Sequence, residues 1–164
     1  MRLFAAIELN PEMKAALAAM QDQMRAQRVA GSYTPVENLH VTLAFIGEYP
    51  DPEDIPLPEF TPFELKLSGY GSFGDLWWAG LEKSPALDAC ARRLRRQLSE
   101  AGIPFDKKRV SPHITLARRA TGRPALQIPE AAMTVDHISL MRSERGRHGM
   151  IYTEMRRRDA STED

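Results

Sequence analysis

Two copies of one tetrapeptide, His40-Val41-Thr42-Leu43 and His113-Ile114-Thr115-Leu116, constrain this chain more than anything else in it. Each lies within a run of β-forming residues. Successive side chains of a strand point to opposite faces, so His40 and Thr42 share one face while Leu39, Val41, Leu43 and Phe45 take the other. His113, Thr115 and Ala117 share a face in the same way, opposite Ile114 and Leu116. The chain has four histidines. With threonine at about one position in twenty, chance places it two residues after two of them only about one or two times in a hundred. A single copy would be read as a hydrogen-bonded pair on a half-buried strand; two copies are read as chemistry.

Imidazole titrates near pH 6.5, roughly, so both of its forms are accessible at neutrality. Two strands that each present an imidazole beside a hydroxyl suit an acid–base device acting on a phosphate ester. One neutral ring takes a proton, one protonated ring gives one, and the hydroxyls donate to phosphate oxygens. Such a pair permits in-line displacement without a metal, and no metal or cofactor is expected.

Other classes find little support. Lysine and arginine number 22 against 22 aspartate and glutamate, which does not describe a genome-coating nucleic-acid binder. The lone Cys90 excludes an internal disulfide and leaves no sulfur set for structural zinc. It is expected on the inner face of a helix. No glycine-rich phosphate loop with a following lysine and no His-Glu-x-x-His is present. The apolar run at Met1–Glu8 is too short for a signal peptide, and no segment approaches membrane-spanning length. A cytoplasmic protein with no membrane partner is expected.

Residues 2–9 read as a buried strand, followed by a helix capped by Asn10 with Pro11 at its first position, carried to about Arg28. A loop over 33–38 leads to the first motif strand, 39–46. Prolines at 50, 52, 56, 58 and 62 exclude a helix and predict an extended connector. Strands over 63–69 and 76–82 follow, with Gly71, Gly74 and Asp75 between them. Ser84-Pro85 begins a second helix, in which Leu87, Ala91, Leu94 and Leu98 recur at helical spacing as far as Gly102. The second motif strand covers 111–118, and strands over 133–142 and 150–157 complete the order. Each half thus gives a helix, a connector and a His-x-Thr strand. The expected fold is α+β, a bilobal pseudo-two-fold arrangement of antiparallel sheets flanked by helices. Residues 1–164 are expected to form one domain of two lobes, with the two histidines facing each other across a central groove.

These residues resemble the 2H phosphoesterase superfamily, and within it the bacterial RNA 2′,3′-cyclic phosphodiesterases also called 2′-5′ RNA ligases. Beyond the two motifs, the resemblance takes in Met1 to Ile7, Pro35 to His40, Phe45-Ile46-Gly47, Ser111-Pro112 and Arg118, and it covers essentially the whole chain. Three departures stand out. A proline-rich connector replaces a helix usual after the first motif strand, Tyr33 stands where tryptophan is common, and Val110 stands where an aromatic residue is usual. The connector predicts a groove with one shortened wall and little preference for substrate length.

The resemblance implies hydrolysis of 2′,3′-cyclic phosphates at RNA 3′ ends, or of cyclic nucleotides, to 2′-phosphates. The same site run backward is a 2′-5′ ligase, since an enzyme lowers one barrier for both directions. The residues alone allow either histidine either role; the resemblance implies that His113 activates water and His40 protonates the 3′-oxygen. Thr42 and Thr115 are the candidate phosphate-binding hydroxyls. Arg118 joins them by resemblance, although strict alternation puts it on the face opposite Thr115 unless the strand bulges or ends. The expected state is a monomer. Two alternatives are a phosphodiesterase for another cyclic or 2′-5′-linked nucleotide and a non-catalytic module that holds nucleotides or RNA ends.

Several residues are set outside the site. His137 is read as structural, and His148 as part of the basic turn over 145–149, which with Arg142 is read either as a solvated hairpin loop or as a surface that steers an RNA end. Arg92, Arg93, Arg95 and Arg96 are read as a solvated helix face, whereas Lys107-Lys108-Arg109 are candidates for touching a longer substrate. Adjacent on a strand, Trp77 and Trp78 are expected to face opposite ways with one in the core, and Tyr33 is a candidate surface for a base.

Overall fold

The computed structural model describes residues 1–108 and 111–162. Strand β1 (Arg2–Glu8) leads into helix α1 (Pro11–Ala26), whose first turn is closed by Asn10 Oδ1 accepting the Met13 N–H at 2.9 Å. Helix α2 (Pro85–Glu100) starts the same way, with Ser84 Oγ accepting the Leu87 N–H at 3.1 Å. Each cap contributes about 1 kcal/mol. Met13, Leu17, Met20 and Met24 form the buried stripe of α1. In α2 the stripe is Leu87, Cys90, Leu94 and Leu98, so Cys90 is indeed on the inner face. Ala91, expected in that stripe, is only half-buried.

The remaining strands are β2 (Ser32–Tyr33), β3 (His40–Glu48), β4 (Phe63–Phe73), β5 (Leu76–Leu81), β6 (His113–Arg118), β7 (Ala132–Val135), β8 (His137–Gly146) and β9 (Gly149–Asp159). They make two antiparallel sheets, ordered β3-β1-β8-β9 and β2-β6-β5-β4-β7. The fold is α+β, as expected. In both halves a strand, a helix and the motif strand form one unit, β1-α1-β3 and β5-α2-β6, with the two strands paired. The helices cross over: α1 lies against β6 and α2 against β3. One buried core, including Leu3 and Ile7 of the first sheet and Leu65 and Ile114 of the second, joins them.

Three departures from the expected elements have physical reasons. The single strand expected over 133–142 is two strands in different sheets, β7 on β4 and β8 on β1, with the chain crossing at Asp136. The crossing sends Val135 and Ile138 into the same core, although a continuous period-2 strand would face them apart. Strand β2, expected as loop, borrows partners from Arg118 and Ala117. Strand β4 continues to Phe73, so Gly71 is not in the turn. A Cβ there would fall 2.5 Å from the Trp78 ring, which explains a glycine inside a strand.

The proline-rich connector holds a single 3₁₀ turn (Pro52–Asp54) and buries Ile55, Leu57 and Phe60. Arg156 donates to the carbonyls of Pro52 and Ile55, and Arg158 to that of Leu57, so β9 straps the connector down. Among the described residues no helix is long and apolar enough to cross a membrane.

Candidate active site

Both motif strands carry the same irregularity at the same place. Ala5 pairs with Ala44 and Ala6 with Thr42, leaving Leu43 as an extra residue in β3. Trp77 pairs with Ala117 and Trp78 with Thr115, leaving Leu116 as an extra residue in β6. Each bulge reverses the alternation that follows it. Val41 and Leu43 are buried ahead of the break and Ala44 and Ile46 after it. Phe45, expected to face away from His40, therefore joins its face, in a cluster with Phe4, Ala6, Met141 and Tyr152. Arg118 likewise returns to the face of His113 and Thr115, which meets the condition under which it reaches the site.

The imidazoles are held alike at one nitrogen. His40 Nδ1 lies 2.7 Å from the Asn38 carbonyl oxygen, and His113 Nδ1 lies 3.0 Å from that of Ser111. A carbonyl only accepts, so both rings carry their hydrogen on Nδ1 and leave Nε2 as the exchangeable nitrogen. His40 Nε2 meets Thr42 Oγ1 at 2.9 Å. The ring of His40 stands 5.0 Å from that of Phe4 and 5.4 Å, edge-on, from that of Tyr152. This burial pushes its pKa below the usual imidazole value; the Asn38 carbonyl opposes the shift, and the charges of Arg118 and His113 add to it. The charges of His113 and Arg118 on β6 thus reach His40 on β3, and the two strands contact each other across the sheets. Phe73, half exposed, meets His113 edge-on at 5.3 Å, and Trp78 lies 6.2 Å away.

A buried amide that sequence reasoning missed stabilises the second bulge. Gln21, 1 % exposed, donates from Nε2 to the Thr34 carbonyl at 2.8 Å and to the Leu116 carbonyl at 3.0 Å. Thr34 adds its own N–H to Leu116 O and its hydroxyl to Thr115 O. The extra residue of β6 thereby has its carbonyl satisfied from the helix behind it.

The model for the 2′-5′ RNA ligase superfamily matches residues 9–147. The chain belongs to this superfamily. It is 34 % identical to an RNA 2′,3′-cyclic phosphodiesterase of Thermus thermophilus, over 93 % of this chain and 87 % of the relative. An RNA 2′,3′-cyclic phosphodiesterase of Geobacillus stearothermophilus is 30 % identical over 78 % of this chain, which spans only 45 % of that longer relative. Among solved structures, Escherichia coli LigT in complex with 3′-AMP superposes with a TM-score of 0.80 at 28 % identity, covering 98 % of each chain.

Other residues of this superfamily member fall into place around that centre. His137, expected to be structural, has Nδ1 2.7 Å from Asp136 Oδ1 and Nε2 3.8 Å from Glu8 Oε1. Glu8, His137 and Glu154 bring their ligand atoms within 4.8 Å of one another, a spacing a cation would fit. Arg157 already fills that electrostatic role, donating to both oxygens of Glu154 at 2.6 and 3.0 Å and holding its carboxyl at a pKa of about 2. Buried Ser139 links the carboxylates by donating to Glu8 at 2.8 Å. Trp77 is core and Trp78 faces His113, as alternation required. Tyr33 is occupied elsewhere: its hydroxyl donates to Val29 O at 2.6 Å and Arg25 covers its ring at 4.2 Å. His148 lies in the two-residue turn between β8 and β9. Arg109 and Val110 lie outside the described residues.

Proposed function

We propose that this protein hydrolyses 2′,3′-cyclic phosphates at RNA 3′ ends to 2′-phosphates by acid–base catalysis between His113 and His40, without a metal. The observation that carries the reading is the pair of imidazoles with Nδ1 fixed on a carbonyl and Nε2 left to exchange a proton, on strands brought together with Arg118. Relatives named RNA 2′,3′-cyclic phosphodiesterase and a LigT structure holding 3′-AMP support the substrate class.

Water attacks phosphorus while His113 Nε2 takes its proton, and the bond from phosphorus to the 3′-oxygen breaks. His40 delivers the proton from Nε2 to that oxygen, leaving the phosphate on the 2′-oxygen. Thr42, Thr115 and Arg118 donate to the non-bridging oxygens, where charge accumulates. Burial lowers the His40 pKa and so favours its neutral form. The negative charge of the bound phosphate opposes that tendency by raising the His40 pKa, so that the ring takes its proton from solvent before the step.

The core common to both sheets supports treating residues 1–164 as one domain of two lobes. Because one chain supplies both histidine strands, we take the active form to be a monomer, in the cytoplasm. The test is an oligoribonucleotide ending in a 2′,3′-cyclic phosphate, incubated under excess chelator with wild type and with His40→Ala and His113→Ala. Conversion to the 2′-phosphate by wild type alone is expected. A 3′-phosphate product would overturn the assignment of the leaving oxygen, and binding without turnover would replace the enzyme by a module that holds RNA ends.

A further inference from the structure

The arginines of α2 do not behave as one solvated face. Arg93 donates to the Glu59 carbonyl at 2.6 Å and serves the connector. Arg92, Arg95 and Arg96 turn the other way and line a cleft of about 820 Å³, together with Lys107. That cleft is bounded at its other wall by Thr42 and Ser111, so it opens directly beside both motif histidines.

Within the cleft the cations have two kinds of work. Arg95 is structural: it lies 5.0 Å over the Phe105 ring and donates to the carbonyls of Asp106 and Lys107. The Asp106 N–H in turn bonds Phe45 O at 2.8 Å, fixing this wall to β3. Arg92 and Arg96 are exposed, and among the described residues neither makes an ion pair or a side-chain hydrogen bond. They stand four apart on one helix face, where like charges disfavour the helix. The arginines of β9 offer the contrast, since Arg156, Arg157 and Arg158 all bond within the protein. Asp88 is the only carboxylate among the lining residues.

We propose that this cleft holds the RNA strand upstream of the reacting end, with Arg92 and Arg96 binding the phosphates on the 5′ side of the terminal nucleotide. The inference rests on the reaction proposed above. A strand whose last phosphate sits at Thr42 and Thr115 must leave the site, and its next groups are further phosphates. The walls around His40 and His113 are aromatic, Phe4 and Tyr152 on one side and Phe73 and Trp78 on the other. Along α2 the cleft beside Thr42 and Ser111 offers such a strand a cationic path. The expectation of little length preference, drawn from the connector, gives way to a preference for oligomers over mononucleotides.

The experiment compares a 2′,3′-cyclic mononucleotide with an oligomer of about ten nucleotides carrying the same end, on wild type and on R92Q/R96Q, across a salt series. Two phosphate contacts on a single strand give a salt slope of about −1.4, so the oligomer KM of wild type should rise about sevenfold between about 50 and about 200 mM salt. The double variant should lose most of that slope and bind the oligomer about tenfold more weakly at low salt. Its kcat and its mononucleotide kcat/KM should match wild type. R92K/R96K, which keeps the charge, should behave like wild type. Equal losses on both substrates, or an oligomer KM indifferent to the double substitution, would overturn the proposal. If wild type hydrolyses neither substrate, the reaction fails but this inference is still decided, by anisotropy titration of the labelled oligomer. Weaker, salt-insensitive binding by R92Q/R96Q supports the strand path, and equal binding by both proteins refutes it.

Discussion

The two motif strands are alike in backbone and unlike in what their sixth residue does. His-Val-Thr-Leu-Ala-Phe in β3 and His-Ile-Thr-Leu-Ala-Arg in β6 share the bulge at leucine, the buried alanine after it and the Nδ1 bond to a carbonyl two residues upstream. At the sixth position Phe45 completes an apolar cluster beneath His40 and carries Arg2 at 5.0 Å over its ring, whereas Arg118 is exposed beside the histidines. Repetition therefore supplies the geometry of two imidazoles, and divergence after the bulge makes their surroundings unequal. His40 is desolvated and also feels the charge of Arg118, while His113 meets the half-exposed ring of Phe73.

The largest effect should come from the rings themselves. His40→Ala and His113→Ala should each lower kcat by roughly 10²–10⁴-fold with the fold intact by circular dichroism. The double variant should fall well short of the product of the two losses, because acid and base act as a unit. Near-full turnover by either single variant would remove the acid–base reading.

The sixth positions should then separate. Arg118→Ala should cost roughly 10²-fold in kcat, as loss of an oxyanion donor does, at little cost in stability. Phe45→Ala should do the reverse, lowering stability by about 2–3 kcal/mol in urea unfolding, below the range for a fully buried ring. If both variants lose rate alike, the asymmetry has been misread.

Next is pH. With His40 as acid, kcat/KM falls once pH exceeds its pKa in the free protein, which burial holds below the ordinary imidazole value. The alkaline limb of kcat/KM should therefore lie at lower pH than that of kcat, where bound phosphate raises the same group. Coincident limbs would assign the acid role elsewhere.

Gln21→Leu removes the donors that serve Thr34 and Leu116; Leu116 O keeps the Thr34 N–H, and the change should cost about 1–3 kcal/mol, chiefly for the Thr34 carbonyl. Activity should drop with it, since the bulge sets the direction of Arg118, while the bulge of β3 stays unaffected. The smallest effect concerns Glu154. Its carboxyl is held near a pKa of about 2 in the folded protein, below its ordinary value of 4.5. The stability this provides is present above the ordinary value and lost as pH falls toward about 2. Glu154→Gln should flatten the acid limb of a stability-versus-pH curve and leave neutral turnover unchanged.

Much of this was legible from residues alone because period and capping act locally. Alternation located His40, Thr42, His113 and Thr115 on their faces, and Asn10-Pro11 and Ser84-Pro85 marked both helix starts. A bulge has no such signature. His-Val-Thr-Leu-Ala-Phe reads as unbroken alternation until a partner strand shows which residue is extra, so Phe45 was placed on the wrong face and Arg118 depended on an unseen irregularity. The sheet change at Asp136 escaped for the same reason, since β propensity does not tell which sheet receives a residue. Gln21 sits in a helix among alanines and methionines, and only its depth of burial reveals its task. The signal for the α2 cleft was present, in a dense arginine cluster with a 92/96 spacing, but its meaning required knowing that β3 lies opposite.

The division of strands between sheets has a consequence for how the protein comes into being. The first sheet takes β1 and β3 from the early half of the chain and β8 and β9 from the late half; the second takes β2, β4 and β5 from the early half and β6 and β7 from the late half. Even the carbonyl that orients His40 belongs to Asn38, whose amide is anchored on Met150 O at 2.9 Å. Contacts between such distant positions form late and slowly. A nascent chain carrying only the first histidine lacks β8 and β9 of its sheet and the Met150 anchor of Asn38, so the proposed acid is expected to be oriented only when synthesis has passed the final hairpin.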